Sequence, residues 1–202
     1  MRKIGLTGTI GSGKSEAARV LSKLGAVVIE ADALGHETYR RGAPAYIDLV
    51  EEFGQQIVGA EGEIDRKALG KIVFADPARR QRLEAIVWPW IRQAISDRLT
   101  RAEQAGRAVA VVDAAVLLEA GWDKLVDEVW AVEAPDAQVI ERLRRLNGWT
   151  EKQAKQRTAA QLPNMARRAR ATLVIVNDGG LEEFEQRVRA AWETPDSSGE
   201  RG

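Results

Sequence analysis

The sequence predicts an α/β protein built on a mainly parallel β-sheet. Short apolar or β-branched runs alternate with longer segments of helical period, which is typical of parallel strands joined by helical crossovers. Two of the runs, at 109–112 and 173–176, are apolar at every position, as expected for strands covered on both faces. The composition is 45% hydrophobic and 30% charged over 202 residues, which is ordinary for a globular chain and unlike a disordered one.

Each element follows from its local pattern. The expected strands, in chain order, are 4–7, 27–30, 108–113, 128–132 and 173–177. A helix over 14–24 has an apolar face and Gly25 as its stop. A second amphipathic helix is expected over 181–192, and the Pro-, Ser-, Gly- and Glu-rich tail, 194–202, is expected to be frayed.

The segment between the second and third strands is longer than a crossover requires. It is mostly helical in period and carries an apolar stripe at positions 83, 86, 87, 90, 91, 95 and 99. Pro89 lies inside this stripe and predicts a kink or a helix junction. We interpret 33–106 as a helical domain inserted into a core formed by 1–32 and 107–202. Trp88 and Trp90 are expected to pack its core, with stacking on an adenine as the alternative.

Residues 136–170 form a second distinct segment, which is dense in arginine and lysine. Within it, Thr150 and Gln153 have the spacing of a capping box and predict the start of a new helix. The segment is therefore a second candidate mobile region, in which a new helix begins after the turn at Asn147-Gly148.

The composition also excludes several classes of protein. The chain has no cysteine and one histidine, His36, which excludes disulfides, thiolate metal sites, cysteine nucleophiles and multi-histidine metal sites. His36 itself is expected on a helix surface. Thirty basic residues balance thirty acidic ones, so a globally basic nucleic-acid binder is excluded. No apolar run suits a signal peptide or a membrane span. We therefore expect a cytoplasmic monomer or small homo-oligomer that binds neither nucleic acid nor membrane.

The strongest motif is Gly8-Thr9-Ile10-Gly11-Ser12-Gly13-Lys14-Ser15, which matches G-x-x-x-x-G-K-[ST] between a predicted strand and a predicted helix. The glycines let backbone N–H groups converge on phosphate oxygens, and the helix presents the positive end of its dipole to the same anion. Lys14 is expected to reach the β- and γ-phosphates, and the Ser15 hydroxyl to coordinate Mg²⁺. The motif predicts a bound nucleoside triphosphate without specifying the reaction.

Several reactions are compatible with such a loop. GTPases that read guanine carry Asn-Lys-x-Asp after a late strand, whereas this chain has Val176-Asn177-Asp178-Gly179 there, without the lysine. A guanine-reading switch is therefore disfavoured. Other small-molecule kinases, such as nucleoside or nucleoside-monophosphate kinases, and an ATP-binding protein that has lost catalysis remain open.

The order and spacing of further pieces resemble the dephospho-CoA kinases, over nearly the whole chain from 4 to 192. These pieces, besides the phosphate loop, are Glu30-Ala31-Asp32-Ala33-Leu34, Asp76-Pro77, Trp88-Pro89, Leu117-Leu118-Glu119, Arg142-Leu143 before Asn147-Gly148, Gln161 and Asn177. The resemblance implies a P-loop NTPase fold, a three-layer sandwich with a parallel five-stranded sheet. It also implies that 33–106 binds the acceptor and that 136–170 is a helical lid.

The same resemblance implies an activity, in which ATP and Mg²⁺ are used to phosphorylate the ribose 3′-hydroxyl of dephospho-CoA. The product would be CoA, and the reaction would be the last step of coenzyme A biosynthesis. The nucleotide and its metal ion are expected on Gly11, Ser12, Gly13, Lys14, Ser15 and Glu16, with Ser15 as the metal ligand. The expected catalytic residues are Lys14, Asp32 and Arg142.

Four of the candidate side chains have alternative roles. Asp32 follows a strand end, where ligands bind in open α/β sheets, and could deprotonate the attacking hydroxyl or cap a helix that begins near Ala33. Arg142 could neutralise the transferring phosphoryl group or lie on a solvated helix face with Leu146 on its apolar side. Asp113 could hold Mg²⁺ through water or end a strand at a turn, and Glu119 could act in the site or pair with a neighbouring base. The chain departs from the family pattern at Glu16, Glu30, Trp88, Ala115, Leu118, Leu146 and Thr172.

Overall fold

The computed structural model describes residues 1–194, so the tail that was expected to fray lies, from residue 195 onward, outside the described residues. The chain divides into two compact units: Met1–Ile29 together with the chain from Arg101 onward, and Glu30–Thr100. The sequence placed these two boundaries after residues 32 and 106, a few residues further along the chain. No helix of the described part is long and apolar enough to cross a membrane.

A five-stranded sheet underlies the first unit. Its strands are β1 (Arg2–Gly8), β2 (Val27–Glu30), β3 (Val109–Asp113), β4 (Glu128–Glu133) and β5 (Leu173–Val176). The spatial order is β2-β3-β1-β4-β5, in which β1 pairs in parallel with β3 and β4, and β4 pairs in parallel with β5. The predicted strands match these bounds to within two residues at each end, which confirms the predicted α/β class.

Helices account for most of the remaining chain. They are α1 (Lys14–Lys23), α2 (Ala31–Thr38), α3 (Pro44–Phe53), α4 (Arg66–Ala75), α5 (Pro77–Gln104), α6 (Asp136–Asn147), α7 (Glu151–Ala159), α8 (Asn164–Arg168) and α9 (Leu181–Glu193). Two short 3₁₀ helices lie at Gln55–Ile57 and Trp122–Leu125. The capping box predicted at Thr150 and Gln153 is present and begins α7.

The sheet is covered on both faces, as the apolar strands predicted. On one face, α1 and α9 form a buried cluster with alternate strand residues, including Ile4 and Trp130. On the opposite face, Leu117 lies against the position of Gly5, and Arg168 of α8 donates to Glu133 at the end of β4. All six residues of β4 are buried. The first unit is therefore a three-layer sandwich.

The second unit is helical. Its core contains buried residues of α2 to α5 and of the turns that join them: Leu34, Ala45, Leu49, Phe53, Ile57, Ile64, Leu69, Val73, Val87, Ile91, Ile95 and Leu99. The long stripe of α5 supplies Val87, Ile91, Ile95 and Leu99, as the sequence predicted. Trp88 is half-buried, whereas Trp90 is 39% exposed, so the expectation that both pack the core is wrong for Trp90.

The helix junction predicted at Pro89 is absent, because α5 runs without a break from Pro77 to Gln104. Proline has no N–H to donate to the carbonyl four residues earlier, which here belongs to Ala85. Both Pro89 and Ala85 are exposed. Water can therefore satisfy the carbonyl that loses its helical partner, and the helix continues through the proline.

Candidate active site

The phosphate-binding motif forms a tight loop between β1 and α1. Gly11 and Gly13 have positive φ angles of 80° and 105°, a backbone conformation that glycine adopts without strain. Inside the loop, the Ser12 N–H donates to the Thr9 carbonyl at 2.9 Å. Gly13 is the N-cap of α1. The backbone N–H groups of 11, 13, 14 and 15 make no hydrogen bond within residues 1–194.

Two of the loop glycines, Gly8 and Gly13, leave no room for a side chain. A Cβ on Gly8 would lie 2.6 Å from the Val132 carbonyl oxygen and 2.7 Å from the Ser12 hydroxyl. A Cβ on Gly13 would lie 2.3 Å from Nδ2 of Asn177. The Ser12 hydroxyl is buried and has no hydrogen-bond partner in the part of the chain that the structure describes. The loop therefore sits close against β4 and the residue that follows β5.

The inner half of the loop, Gly11 and Ser12, is held by residues from the C-terminal part of the chain. Nδ2 of Asn177 donates to the Ser12 carbonyl at 2.7 Å. The Arg142 guanidinium donates to the Gly11 carbonyl at 3.4 Å, to Gln138 at 3.1 Å, and to the backbone and side-chain oxygens of Asn177 at 3.2 Å each. Arg142 thus lies beside the loop, and the alternative of a solvated helix face is wrong.

The outer half of the loop, Thr9 and Ile10, is held by the turn between α7 and α8 and by α8 itself. Oε1 of Gln161 accepts from the Ile10 N–H at 2.9 Å. The Thr9 hydroxyl donates to Oδ1 of Asn164 at 2.9 Å and accepts from the Arg167 guanidinium at 2.9 Å. These contacts were not predictable from sequence, because residues about 150 positions apart carry no local signal that they meet.

Lys14 lies at the start of α1, and its ammonium group is paired with Oδ1 of Asp113 at the end of β3. The two side chains are only 13% and 10% exposed. Asp113, for which a metal or a turn role was expected, holds the loop lysine here. The Ser15 side chain is exposed and its hydroxyl makes no hydrogen bond in the described chain.

The side chain of Glu16 differs from the rest of the predicted nucleotide-binding set. Its carboxylate accepts from Nε of Arg19 at 2.9 Å, and Arg19 also pairs with Glu185 of α9. The hydrogen bond from Arg19 lowers the pKa of Glu16 below its usual value. Its N–H donates to the Gly13 carbonyl at 3.0 Å. Both the amide and the side chain of Glu16 are therefore already engaged, and its role toward a nucleotide stays a prediction.

Asp32 lies in the first turn of α2, directly after β2. The helix begins at Ala31 with Glu30 as its N-cap, so the alternative of Asp32 as a cap is wrong. Asp32 is exposed and makes no hydrogen bond or ion pair within the described residues. His36, one turn further along, is exposed as predicted, and its Nε2 lies 2.8 Å from Nη1 of Arg66. The pKa of His36 is lowered, mainly because its ring is partly shielded from water and secondly because of the positive charge of Arg66.

The predicted lid segment packs on the loop within the first unit. Val139 and Leu143 of α6 are buried with Ala154 of α7, and Ile10 of the loop packs against them. A cavity of about 620 Å³ lies between α6, α7, the turn over 161–164 and Thr9. Leu146, expected on the apolar face of α6, is 74% exposed because α6 ends one residue later.

The glycine at position 13 gives the first testable prediction. Gly13→Ala should lose stability and nucleotide binding together, because the methyl group would displace Asn177, which Arg142 holds in place. Gly25→Ala is the matched control. Gly25 has a similar φ of 102° and open space around its Cβ position, so it should cost only about 1–2 kcal/mol of backbone strain. Chemical unfolding and ATP titration distinguish the two, and equal losses of stability with unchanged ATP affinity would contradict the packing argument.

Similarity to known proteins agrees with this geometry. The family model CoaE, described as dephospho-CoA kinase, matches residues 2–183. A dephospho-CoA kinase of Geobacter sulfurreducens is 46% identical over 192 residues, which cover 95% of this chain and 98% of that protein. The crystal structure of TT1252 from Thermus thermophilus has a TM-score of 0.80 and 34% identity, over 95% of this chain and 96% of that one. The dephospho-CoA kinase from Campylobacter jejuni, at 24% identity and a TM-score of 0.71 over 95% of this chain and 96% of that one, shares the fold.

The match to the family model spans nearly the whole chain. Relatives at 46% and 34% identity match this chain over almost their full length. The chain therefore belongs to the dephospho-CoA kinase family.

Proposed function

We propose that this protein transfers the γ-phosphoryl group of ATP to the ribose 3′-hydroxyl of dephospho-CoA and releases CoA and ADP. The observation that carries the proposal is the loop at the start of α1, in a chain of this family. Four backbone N–H groups of the loop, at 11, 13, 14 and 15, have no partner within residues 1–194. They lie at the positive end of the α1 dipole, which favours a phosphate chain.

The loop is suited to a phosphate chain for two further reasons. Added side chains at Gly8 or Gly13 would occupy the space that the loop needs. The Lys14 ammonium is close to the loop but is held by Asp113. A bound triphosphate would offer Lys14 a second, more highly charged partner. The lysine would then neutralise charge that develops on the phosphate oxygens during transfer.

The residues present also fit a magnesium ion that is carried mainly by the nucleotide. No group of three or more His, Asp or Glu side chains that could hold a metal occurs among the described residues. Mg²⁺ is usually bound by one or two protein oxygens together with substrate phosphates and water. The exposed Ser15 hydroxyl and the Asp113 carboxylate are the groups that would hold it, and the ion would neutralise charge on the β- and γ-phosphates.

Asp32 and Arg142 have separate proposed roles. Asp32 has an exposed carboxylate directly after β2 that no other described residue bonds, and it would accept the proton of the attacking hydroxyl. Arg142 is already oriented by Gly11 and Asn177, so little side-chain entropy remains to be lost when it binds an anion. Closure of the α6–α7 segment would exclude water, which would otherwise compete with the acceptor for the phosphoryl group.

The experiment is an incubation of the purified protein with ATP, Mg²⁺ and dephospho-CoA, in which ADP and CoA are measured separately. Equal amounts of both products are expected. When dephospho-CoA is left out, ADP should form much more slowly. Adenosine and AMP are offered as alternative acceptors in parallel reactions. ADP without CoA would contradict the proposal in favour of an ATPase or another acceptor, and no product at all would indicate an ATP-binding protein without catalysis.

A further inference from the structure

Arg167 of α8 is a charged side chain that the fold buries completely. Its relative exposure is 0%, and it is among the largest fully buried side chains of the described chain. Burial lowers the pKa of Arg167, while the nearby charges of Glu119 and Glu133 act in the opposite direction. Removing a guanidinium from water is costly unless its N–H groups find partners. The partners that Arg167 has therefore indicate what its burial achieves.

Nη1 makes both hydrogen bonds of this guanidinium. It donates to the Thr9 hydroxyl at 2.9 Å and to the Leu162 carbonyl. Nε and Nη2 have no hydrogen-bond partner among residues 1–194, although Nη2 lies 3.8 Å from Oε1 of Glu119. The same carboxylate accepts from the Leu162 N–H at 3.2 Å. Arg167 is thus held by Glu119 and by the turn at Leu162, and it also bonds to Thr9 of the phosphate loop.

Thr9 links this arrangement to the loop amides. Its hydroxyl has two partners, Asn164 and Arg167, both in α8. Its carbonyl accepts from the Ser12 N–H at 2.9 Å, which is the bond that closes the turn of the loop. Ile10, the next residue, is held by Gln161 at 2.9 Å. The direction of the amide at residue 11 therefore depends on where α8 places Thr9 and on where the turn before α8 places Ile10.

We propose that Arg167 is a positioning residue for ATP binding: it holds Thr9, and through Thr9 the outer half of the phosphate loop, in the conformation that receives the triphosphate. Arg167 is fully buried, so it acts through Thr9 and does not contact the nucleotide. The inference rests on the proposed binding of ATP to the loop. It adds to that proposal a requirement for α8, a helix outside the sequence motif.

The test compares Arg167→Met with the wild-type protein by calorimetric ATP titration and by steady-state kinetics. Loss of a hydrogen bond to a charged group predicts that the Kd and the KM for ATP rise by about 10-fold or more. The KM for dephospho-CoA should be unchanged. Arg170→Met is the matched control, because Arg170 bonds to the Leu118 carbonyl at 3.1 Å and to Asp123 at 2.7 Å but does not contact the loop. It should lower the melting temperature and leave ATP affinity as it was.

Variants at Thr9 separate positioning from a loss of stability. Thr9→Ser keeps the hydroxyl and should keep ATP affinity, whereas Thr9→Val removes it and should weaken ATP binding. If Arg167 acts through Thr9, the double variant Thr9→Val/Arg167→Met should bind ATP about as weakly as the weaker single variant, because the two changes remove one linkage. If Arg167→Met does not fold, Thr9→Val decides the test alone, because it removes the same hydrogen bond, and unchanged ATP affinity in Thr9→Val would then overturn the inference.

Unchanged ATP affinity in folded Arg167 variants would overturn the inference, as would full additivity of the Thr9 and Arg167 effects. These outcomes are distinct from failure of the proposed function. A wild-type protein that binds ATP but produces no CoA would refute the reaction and still allow the Arg167 inference to be decided by ATP titration.

Discussion

Replacing Lys14 by methionine should reduce phosphoryl transfer to dephospho-CoA by about 10³-fold, the upper range for loss of one group that stabilises transition-state charge. Methionine has a similar length and no charge, so the side chain still fills its space beside the loop. The backbone amides of the loop remain, so weak ATP binding should persist. The measurement is kcat with ATP and dephospho-CoA at saturation, together with ATP affinity by calorimetry.

The ion pair with Asp113 complicates this experiment and also supplies its control. Lys14→Met leaves the Asp113 carboxylate, which is only 10% exposed, without its lysine. Removing a paired cation from a largely buried carboxylate is destabilising, so a fall in activity could reflect partial unfolding. The double variant Lys14→Met/Asp113→Asn removes that charge. It should recover the melting temperature without recovering kcat, and recovery of both would contradict the role assigned to Lys14.

Much of the phosphate site was predictable from sequence because its signal is local. Eight consecutive residues between a strand and a helix determine the turn, the free amides and the place of Lys14. The strand pattern likewise gave the sheet, since apolar runs are short and separated by strong helical periods. Local signals of this kind survive in a single sequence because the residues that cooperate are neighbours.

The contacts that hold the loop from outside were not predictable in the same way. Arg167 looked like one of many arginines in a basic segment, and no periodicity distinguishes a fully buried arginine from exposed ones such as Arg144. Thr172, one of the departures from the family pattern, proves to bond through its hydroxyl to the backbone of Val129 at 3.0 Å. Such roles depend on long-range packing, which only the folded chain brings about.

Helix starts are a further point at which sequence and structure differ. Asp32 resembled a cap because aspartate favours that position, but tertiary structure starts α2 at Ala31, immediately after β2. The carboxylate therefore lies in the first helical turn and not at the cap position. It retains no hydrogen-bond partner in the described chain, which leaves it available for a substrate hydroxyl.

Asp32→Asn should therefore fold normally and lose at least ~100-fold in kcat, the contribution expected of a general base. The change is isosteric and the side chain is exposed, so the free energy of unfolding should change by less than about 0.5 kcal/mol. ATP affinity should stay at the wild-type value, because the loop amides are untouched.

Glu37→Gln is the control for this variant, since Glu37 is an exposed acid on the same helix that pairs with Arg98 at 3.2 Å. It removes one negative charge from α2, as Asp32→Asn does, and so shows how far turnover depends on the charge of the helix and not on one carboxylate. A base must accept a proton at one defined atom, whereas a field effect depends only on the charge nearby. Turnover that falls for Asp32→Asn alone would identify the base, and near wild-type turnover for Asp32→Asn would remove Asp32 from the mechanism.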